Sequence, residues 1–85
     1  MFMTNSIAYT NLASLVAKYD HLVAVVRDVQ PSFLLVSETW LDPDIPDALI
    51  LLDGFHIFRQ DSIGRRGGGV CVYVADHILS KYSVS

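Results

Sequence analysis

Cysteine and charge are both scarce in this sequence. Cys71 is the only cysteine among the 85 residues, which excludes an internal disulfide and a cysteine-based zinc site. Charged side chains make up 18% of the chain and the formal net charge is -3, so no overall basic excess attracts nucleic acid. The single cysteine favours a reducing compartment. Because the chain has no overall basic excess, any surface that contacts nucleic acid must be a local one.

A long hydrophobic run is also missing. The longest apolar run, from Val70 to Ala75, is far too short to span a bilayer. The N-terminal residues, Met-Phe-Met-Thr-Asn-Ser, lack the basic start and the apolar stretch of a secretory signal. These absences predict an intracellular protein without a membrane partner, and the nucleus is one candidate location.

Apolar residues, in contrast, are abundant for so short a chain. They make up 52% of the sequence. A domain of this length buries only about 60% of the surface that its unfolded chain exposes, so many apolar side chains would be left near the surface. We expect a larger body to cover part of this chain.

The first half of the chain predicts a strand, a helix and a second strand. Residues 7–10 form a short apolar stretch, and after Ser14 apolar side chains recur at three- and four-residue intervals, the spacing of one buried helical face. Ser14 is the predicted N-cap, and Pro31 forces the helix to end near Val29. Residues 33–37 form a continuous apolar run, the pattern of a strand buried on both faces.

The second half predicts a loop, a hairpin and the start of a helix. Residues 42–47 contain two prolines and three aspartates, which favour a solvated loop over a calcium site. Residues 55–59 and 69–74 have the composition of strands and flank a glycine and arginine cluster, so they are predicted to pair as an antiparallel hairpin. Cys71 is predicted to be a small buried apolar residue of the second strand. Residues 76–81 are predicted to begin a helix.

Two polar side chains follow the first two predicted strands. Strands joined by a helix in one sheet are parallel with a right-handed crossover, so their carboxyl ends lie at one edge. Asn11 and Glu38 come just past these ends. Ligands of open α/β sheets bind in the crevice outside the carboxyl ends of the strands. Spacing and chain direction therefore make Asn11 and Glu38 a candidate site.

Four short motifs in a fixed order carry a family resemblance. They are Asn-Leu-Ala-Ser-Leu from Asn11, Ser-Glu-Thr-Trp-Leu from Ser37, Gly-Phe followed by Phe-Arg-Gln-Asp from Gly54, and Arg-Arg-Gly-Gly-Gly-Val from Arg65. In this order they resemble the opening of the endonuclease/exonuclease/phosphatase superfamily, and most of all the apurinic-type endonuclease domains carried by non-LTR retrotransposons. The resemblance covers residues 7–74.

This resemblance implies a fold and an activity. The fold would be a partial four-layer α/β sandwich of the deoxyribonuclease-I-like class, here a strand-helix-strand unit followed by an antiparallel hairpin. An intact parent would hydrolyse DNA phosphodiester bonds with a divalent metal, usually Mg²⁺. Glu38 would be a catalytic metal ligand, and Asn11 would lie near the metal and position a water or a phosphate. A hard cation prefers oxygen donors and keeps several waters, which suits one carboxylate plus substrate phosphate oxygens.

The later residues of the family have no counterpart here. Its later tyrosine, its Asp-x-Asn pair and its terminal Ser-Asp-His segment are missing from these 85 residues. The resemblance therefore implies that residues 1–85 are the N-terminal portion of a single domain without its C-terminal catalytic half, and that the chain is inactive alone. The remainder of the domain, or an associated reverse transcriptase, would be the missing partner.

Several alternatives stay open at this point. The chain could be a fragment of a phosphatase of the same fold, or a non-catalytic α/β module that pairs with another chain through an exposed sheet edge. Arg65 and Arg66 are candidate phosphate contacts, although a flexible hairpin turn is the simpler interpretation. Trp40 is predicted to pack against the core rather than to contact DNA. The oligomeric state is not predicted.

Overall fold

The computed structural model of the chain describes residues 6–61 and 67–82. Within these two ranges the protein is a mixed α/β structure with one four-stranded sheet and two α-helices. Neither of these helices is long and apolar enough to cross a membrane. Arg65 and Arg66, the candidate phosphate contacts, lie outside the described residues.

The first half of the chain forms the predicted strand-helix-strand unit. Its elements are β1 (Ile7–Asn11), α1 (Tyr19–Val29) and β2 (Phe33–Ser37). β1 and β2 are parallel, and their register places Asn11 opposite Ser37. Because the strands run in the same direction and are in register, both end at the same edge of the sheet.

The second half forms the predicted antiparallel hairpin, from β3 (Phe55–Gln60) and β4 (Val70–Ala75). β4 also pairs antiparallel with β2, with Val70 opposite Ser37, so the strand order is β1-β2-β4-β3. The start of β4 therefore lies beside the end of β2, which brings a third segment to the edge where β1 and β2 end.

Two short helical elements complete the described chain. A 3-10 turn, Asp47–Leu49, lies between β2 and β3, and α2 (Asp76–Tyr82) follows β4 directly, as predicted. The loop before the 3-10 turn is held to β3 by Arg59, which donates to the Asp47 carboxylate and to the Ile45 carbonyl, each at 2.8 Å. The guanidinium also pairs with Asp61 at 2.7 Å, and this contact is the main cause that raises the pKa of Arg59.

α1 begins later than the sequence pattern predicted. The predicted N-cap, Ser14, has φ 97°, and the helix starts at Tyr19. Ser14 Oγ accepts from the Ala17 amide at 3.4 Å, three residues on, but residues 15–18 form turns that precede the helix. The amides of Ser14 and Leu15 donate to carbonyls of the loop after β2. The predicted end at Val29 is confirmed, because Gln30 is left-handed with φ 50° and its amide caps the last turn.

One face of the sheet, which we call the closed face, packs against α1. Leu22 of α1, Leu34 of β2 and Tyr73 of β4 have no solvent exposure. The Tyr73 hydroxyl donates to the Ile50 carbonyl at 2.7 Å, so the buried phenol has a partner. Cys71 is buried here, as predicted. The ten buried residues of this core are Leu12, Leu15, Leu22, Leu34, Val36, Leu41, Ile50, Leu52, Cys71 and Tyr73.

The opposite face, which we call the open face, carries large apolar side chains that solvent reaches. The prediction that β2 is buried on both faces is therefore wrong, since Leu34 is buried but Leu35 is 37% exposed. α2 covers one end of this face, where Ile78 packs with Val74. An apolar run in the sequence does not say what covers each side of a strand. The exposed apolar side chains of the open face are Ile7, Tyr9, Leu35, Phe58 and Val70.

Candidate active site

Three loop segments meet at the edge of the sheet where β1 and β2 end and β4 begins. We call this region the rim and define it as residues 11–15, 38–41 and 67–69. The three segments are neighbours because the strands that they adjoin are neighbours in the order β1-β2-β4. The rim contains both residues that the sequence predicted as a site, Asn11 and Glu38.

Backbone hydrogen bonds hold the middle segment of the rim from both sides. On one side, the Leu15 amide donates to the Thr39 carbonyl at 2.8 Å. On the other side, the Trp40 amide donates to the Gly68 carbonyl at 2.9 Å, and the Thr39 amide donates to the Gly69 carbonyl at 3.3 Å. The pairing of the sheet thus continues past the ends of the strands and limits the motion of the loop that carries Glu38.

The backbone of the rim is strained. Ala13, Ser14, Glu38 and Trp40 all have positive φ, at 50°, 97°, 55° and 55°. Left-handed conformations of such residues cost roughly 1–2 kcal/mol each. Of the five non-glycine residues with positive φ in the described chain, these four lie in the rim. Strain that is concentrated in this way is typical of segments whose geometry serves a site.

Asn11 ends one strand, and Glu38 directly follows the end of the neighbouring strand. Asn11 is the last residue of β1 and pairs with Ser37, the last residue of β2, so Glu38 is one residue beyond the partner of Asn11. Paired strands lie about 5 Å apart. Asn11 is exposed and Glu38 is partly buried. The two residues therefore lie at one edge of the sheet, and solvent reaches both of them.

Trp40 contacts the carboxylate of Glu38. Its indole nitrogen Nε1 donates to Glu38 Oε1 at 3.3 Å, and its side chain is 47% exposed. The prediction that Trp40 packs against the core is therefore wrong. The left-handed backbone at Glu38 and Trp40 turns both side chains toward each other, and no pattern of hydrophobic spacing encodes that turn.

Two further polar contacts near the rim were not predicted. The Tyr9 hydroxyl and Ser37 Oγ form a hydrogen bond of 2.6 Å on the open face, and Ser37 is the residue directly before Glu38. Lys18 Nζ donates to the Leu12 carbonyl at 2.6 Å, which brings an ammonium group to the loop after β1. The sequence pattern predicts Lys18 within the helix, but α1 begins one residue later, at Tyr19. No sequence signal therefore indicated that Lys18 holds the loop after β1.

The oxygen donors of the rim supply only part of a metal site. In residues 6–61 and 67–82, no group of three or more histidine, cysteine or acidic side chains could hold a metal ion. Glu38 and Asn11 offer one carboxylate and one amide oxygen. That set fits Mg²⁺, which keeps several waters and is commonly held by one or two carboxylates together with phosphate oxygens.

Nearly the whole chain matches the model of one known protein family. The match covers residues 5–84, and the model is described as the Endonuclease/Exonuclease/phosphatase family. The chain belongs to this family. The superfamily that the four sequence motifs indicated is thus confirmed, and members of the endonuclease/exonuclease/phosphatase family generally depend on divalent metals. A comparison with curated protein sequences finds no match.

Solved structures with the same fold include two AP endonucleases. An AP endonuclease from Archaeoglobus fulgidus is 19% identical, with a TM-score of 0.69 over 84% of this chain and 27% of its own. The AP endonuclease LMAP from Leishmania major is 22% identical, with a TM-score of 0.71 over 85% of this chain and 24% of its own. These likenesses confirm the deoxyribonuclease-I-like fold class of this family member. The chain spans about a quarter of the length of each of these two structures.

Proposed function

We propose that this chain is the N-terminal portion of an endonuclease/exonuclease/phosphatase domain whose intact parent hydrolyses DNA phosphodiester bonds with Mg²⁺. The observation that carries the proposal is the placement of Asn11 and Glu38 at neighbouring strand ends within a strained rim. Family membership supports the reaction class, and the AP endonuclease structures support DNA as the substrate.

Each of the two residues has a distinct role in this proposal. Glu38 is the carboxylate ligand of Mg²⁺, and the bound ion offsets negative charge that builds on the phosphate. Asn11 positions a water or a phosphate oxygen through its amide, which adds no negative charge to repel the DNA backbone. An amide cannot take a proton, and a carboxylate engaged with a cation is a weak base, so the two residues do not complete a hydrolytic site. We therefore expect the 85-residue chain to be inactive alone.

The source of the domain is a finer part of the proposal. We infer a non-LTR retrotransposon as the parent, with a reverse transcriptase in the same polyprotein or gene. The support is the amino-acid sequence of the motifs, above all Ser-Glu-Thr-Trp-Leu from Ser37 and the three glycines from Gly67. In the rim these two motifs bond to each other through the backbone.

A plasmid-nicking assay tests the proposed function. The purified chain is incubated with supercoiled plasmid and Mg²⁺, and no nicking is expected. A longer chain that adds the remaining portion of such a domain is expected to nick the plasmid, and Glu38→Ala in that chain should abolish the activity. Asp53→Ala is the matched control, because Asp53 is an exposed acid outside the rim.

Three outcomes would contradict this proposal. Nicking by the 85-residue chain alone, lost in Glu38→Ala, would show that the chain is a complete nuclease. Nicking by the longer chain that survives Glu38→Ala would remove Glu38 from the site. Release of phosphate from inositol phosphates without any nicking would favour the phosphatase alternative.

The open face supports a second candidate function, a non-catalytic interaction module. Exposed apolar side chains that form one surface often mark a docking site. Tyr9, Leu35 and Phe58 lie in one row across the sheet, and all three are exposed. If the chain acts in this way, charged substitutions on the open face would abolish binding to a partner, whereas Glu38→Ala would leave it unchanged.

A further inference from the structure

The Glu38 side chain is held in a small assembly within the rim. Thr39 is 1% exposed and anchors the middle segment, while Glu38 and Trp40 on either side of it have matching left-handed φ angles. This arrangement brings the Trp40 indole N–H to the Glu38 carboxylate, at 3.3 Å. A carboxylate at the end of a flexible side chain would otherwise sample several rotamers, and a hydrogen bond to one oxygen reduces that freedom.

The glycine segment of the rim holds the indole in turn. Gly67, Gly68 and Gly69 all have φ near 80° and adopt it without strain because they have no Cβ. A Cβ at Gly67 would lie 3.3 Å from Trp40 Nε1, so the indole packs closely on the glycine backbone. The Gly68 carbonyl accepts from the Trp40 amide, which fixes the residue at both its backbone and its ring. The glycine segment therefore packs against Trp40 of the same chain. A glycine-rich loop can suggest a phosphate-binding site, but here Gly67 contacts an indole.

We propose that Trp40 is a positioning residue for Glu38, held over Gly67 so that its indole N–H orients the carboxylate for a divalent cation. The role toward the cation rests on the proposed function. One carboxylate oxygen is engaged by the indole, which leaves the other to bind the ion. Hydrogen-bond partners of metal-binding carboxylates typically change metal affinity by about 10–100-fold when they are removed. The bond here is long and partly exposed, so the lower end of that range is expected.

The first experiment tests the hydrogen bond without any metal. Trp40 is the only tryptophan in the sequence, so the ¹⁵N-labelled 85-residue chain has a single indole N–H signal in its NMR spectrum. Glu38→Ala is expected to move this signal toward the position of an unbonded indole and to speed its exchange with water. Asp53→Ala, the matched acid outside the rim, should leave it in place. An indole signal that does not respond to Glu38→Ala would overturn the proposal.

The second experiment tests the effect on the cation and uses Mn²⁺ as the probe. Broadening of the Asn11 and Glu38 backbone amide signals by Mn²⁺ measures the affinity of the rim. Trp40→Phe keeps an aromatic ring but removes the N–H, and it is expected to weaken Mn²⁺ binding about tenfold. Phe58→Leu, which removes an exposed ring outside the rim, should leave the affinity unchanged. The dispersion of the amide spectrum shows whether each variant is folded.

The outcomes separate this inference from the function on which it rests. Equal Mn²⁺ affinity in the wild-type chain and in Trp40→Phe would overturn the positioning role and leave the metal site intact. If Mn²⁺ does not broaden the Asn11 and Glu38 signals of the wild-type chain, both the metal site and the positioning role fail. Weaker binding in Trp40→Phe together with an indole signal that depends on Glu38 would support the inference.

Discussion

The two faces of the sheet are built from the same strands but differ in what covers them. On the closed face, the side chains of β2 and β4 pack under α1, and Leu34 and Tyr73 have no exposure. On the open face, apolar side chains of all four strands remain 37% to 72% exposed. A folded monomer rarely exposes a continuous apolar surface of this kind. The comparison shows that the described residues bury the apolar side chains of one face and leave much of the apolar surface of the other in contact with solvent.

The largest expected difference between the faces is in the effect of removing a leucine. Leu34→Ala and Leu35→Ala change neighbouring positions of β2 in the same chemical way. We expect Leu34→Ala to destabilise the chain by about 2–5 kcal/mol, because it opens a cavity in a closed core. Leu35→Ala should cost about 1 kcal/mol or less, because the side chain is already partly in water. Urea unfolding of both variants measures this difference.

An equal loss of stability in Leu34→Ala and Leu35→Ala would contradict the difference between the two faces. It would mean that the open face is covered in solution, for example by self-association of the chain. Repeating the unfolding at several protein concentrations separates these cases, since only an associated chain shows a concentration-dependent midpoint.

An effect that is smaller for each pH unit is expected at alkaline pH, and it belongs to the closed face. Burial raises the pKa of the Cys71 thiol to about 12, and burial also raises the pKa of the Tyr73 hydroxyl. Between about pH 9 and pH 12 the unfolded thiol has lost its proton while the folded thiol keeps it, so stability falls as the pH rises. Below this window the thiol makes no pH-dependent contribution.

Unfolding by urea across the alkaline range checks this prediction. The expected loss is on the order of 1 kcal/mol for each pH unit inside the window. Cys71→Val removes the thiol at similar size, and it should flatten the pH dependence while leaving the contribution of Tyr73. A wild-type slope that is the same as that of Cys71→Val would show that Cys71 is not buried in solution.

The smallest effect on stability is expected on the open face. Phe58 is 56% exposed, so Phe58→Lys should change the free energy of unfolding by no more than about 0.5 kcal/mol. The same substitution should lower binding of a hydrophobic dye and self-association, because it interrupts the apolar row across the sheet. Ile57→Lys, at the neighbouring position that packs against the core, is the matched control and should unfold the chain.

Ultracentrifugation and dye fluorescence measure these changes. If a longer protein covers the open face, Phe58→Lys should reduce self-association of the chain and leave its fold intact. If Phe58→Lys and Ile57→Lys destabilise the chain equally, the two faces are not different in the way that the structure indicates.

Local sequence signals predicted most of the fold. Alternating or continuous apolar positions placed β1, β2 and the hairpin, and Pro31 placed the end of α1, because these signals act within a few residues. They failed at the start of α1. Ser14 does accept from the Ala17 amide, three residues on, but the helix begins only at Tyr19. Ser14 itself is held by the Glu38 carbonyl, far away in the sequence, and no local signal contains that bond.

The candidate site was also predicted in part. Asn11 and Glu38 could be paired from chain direction alone, since parallel strands end at one edge. The contact between Trp40 and Glu38 could not, because it depends on left-handed backbone at both residues and on the close approach of Gly67. Arg65 and Arg66 lie outside the described residues, so their contact with phosphate stays a prediction.

The sequence by itself determined which segments become strands and helices, and which two polar residues follow the ends of the parallel pair. These properties follow from side-chain spacing and from the direction of the chain. Only the tertiary structure decided which face of the sheet is closed, where α1 begins and how Glu38 is held. Each of these depends on contacts between segments distant in sequence, and the free energy of such contacts is set by packing and hydrogen bonding that no short pattern contains.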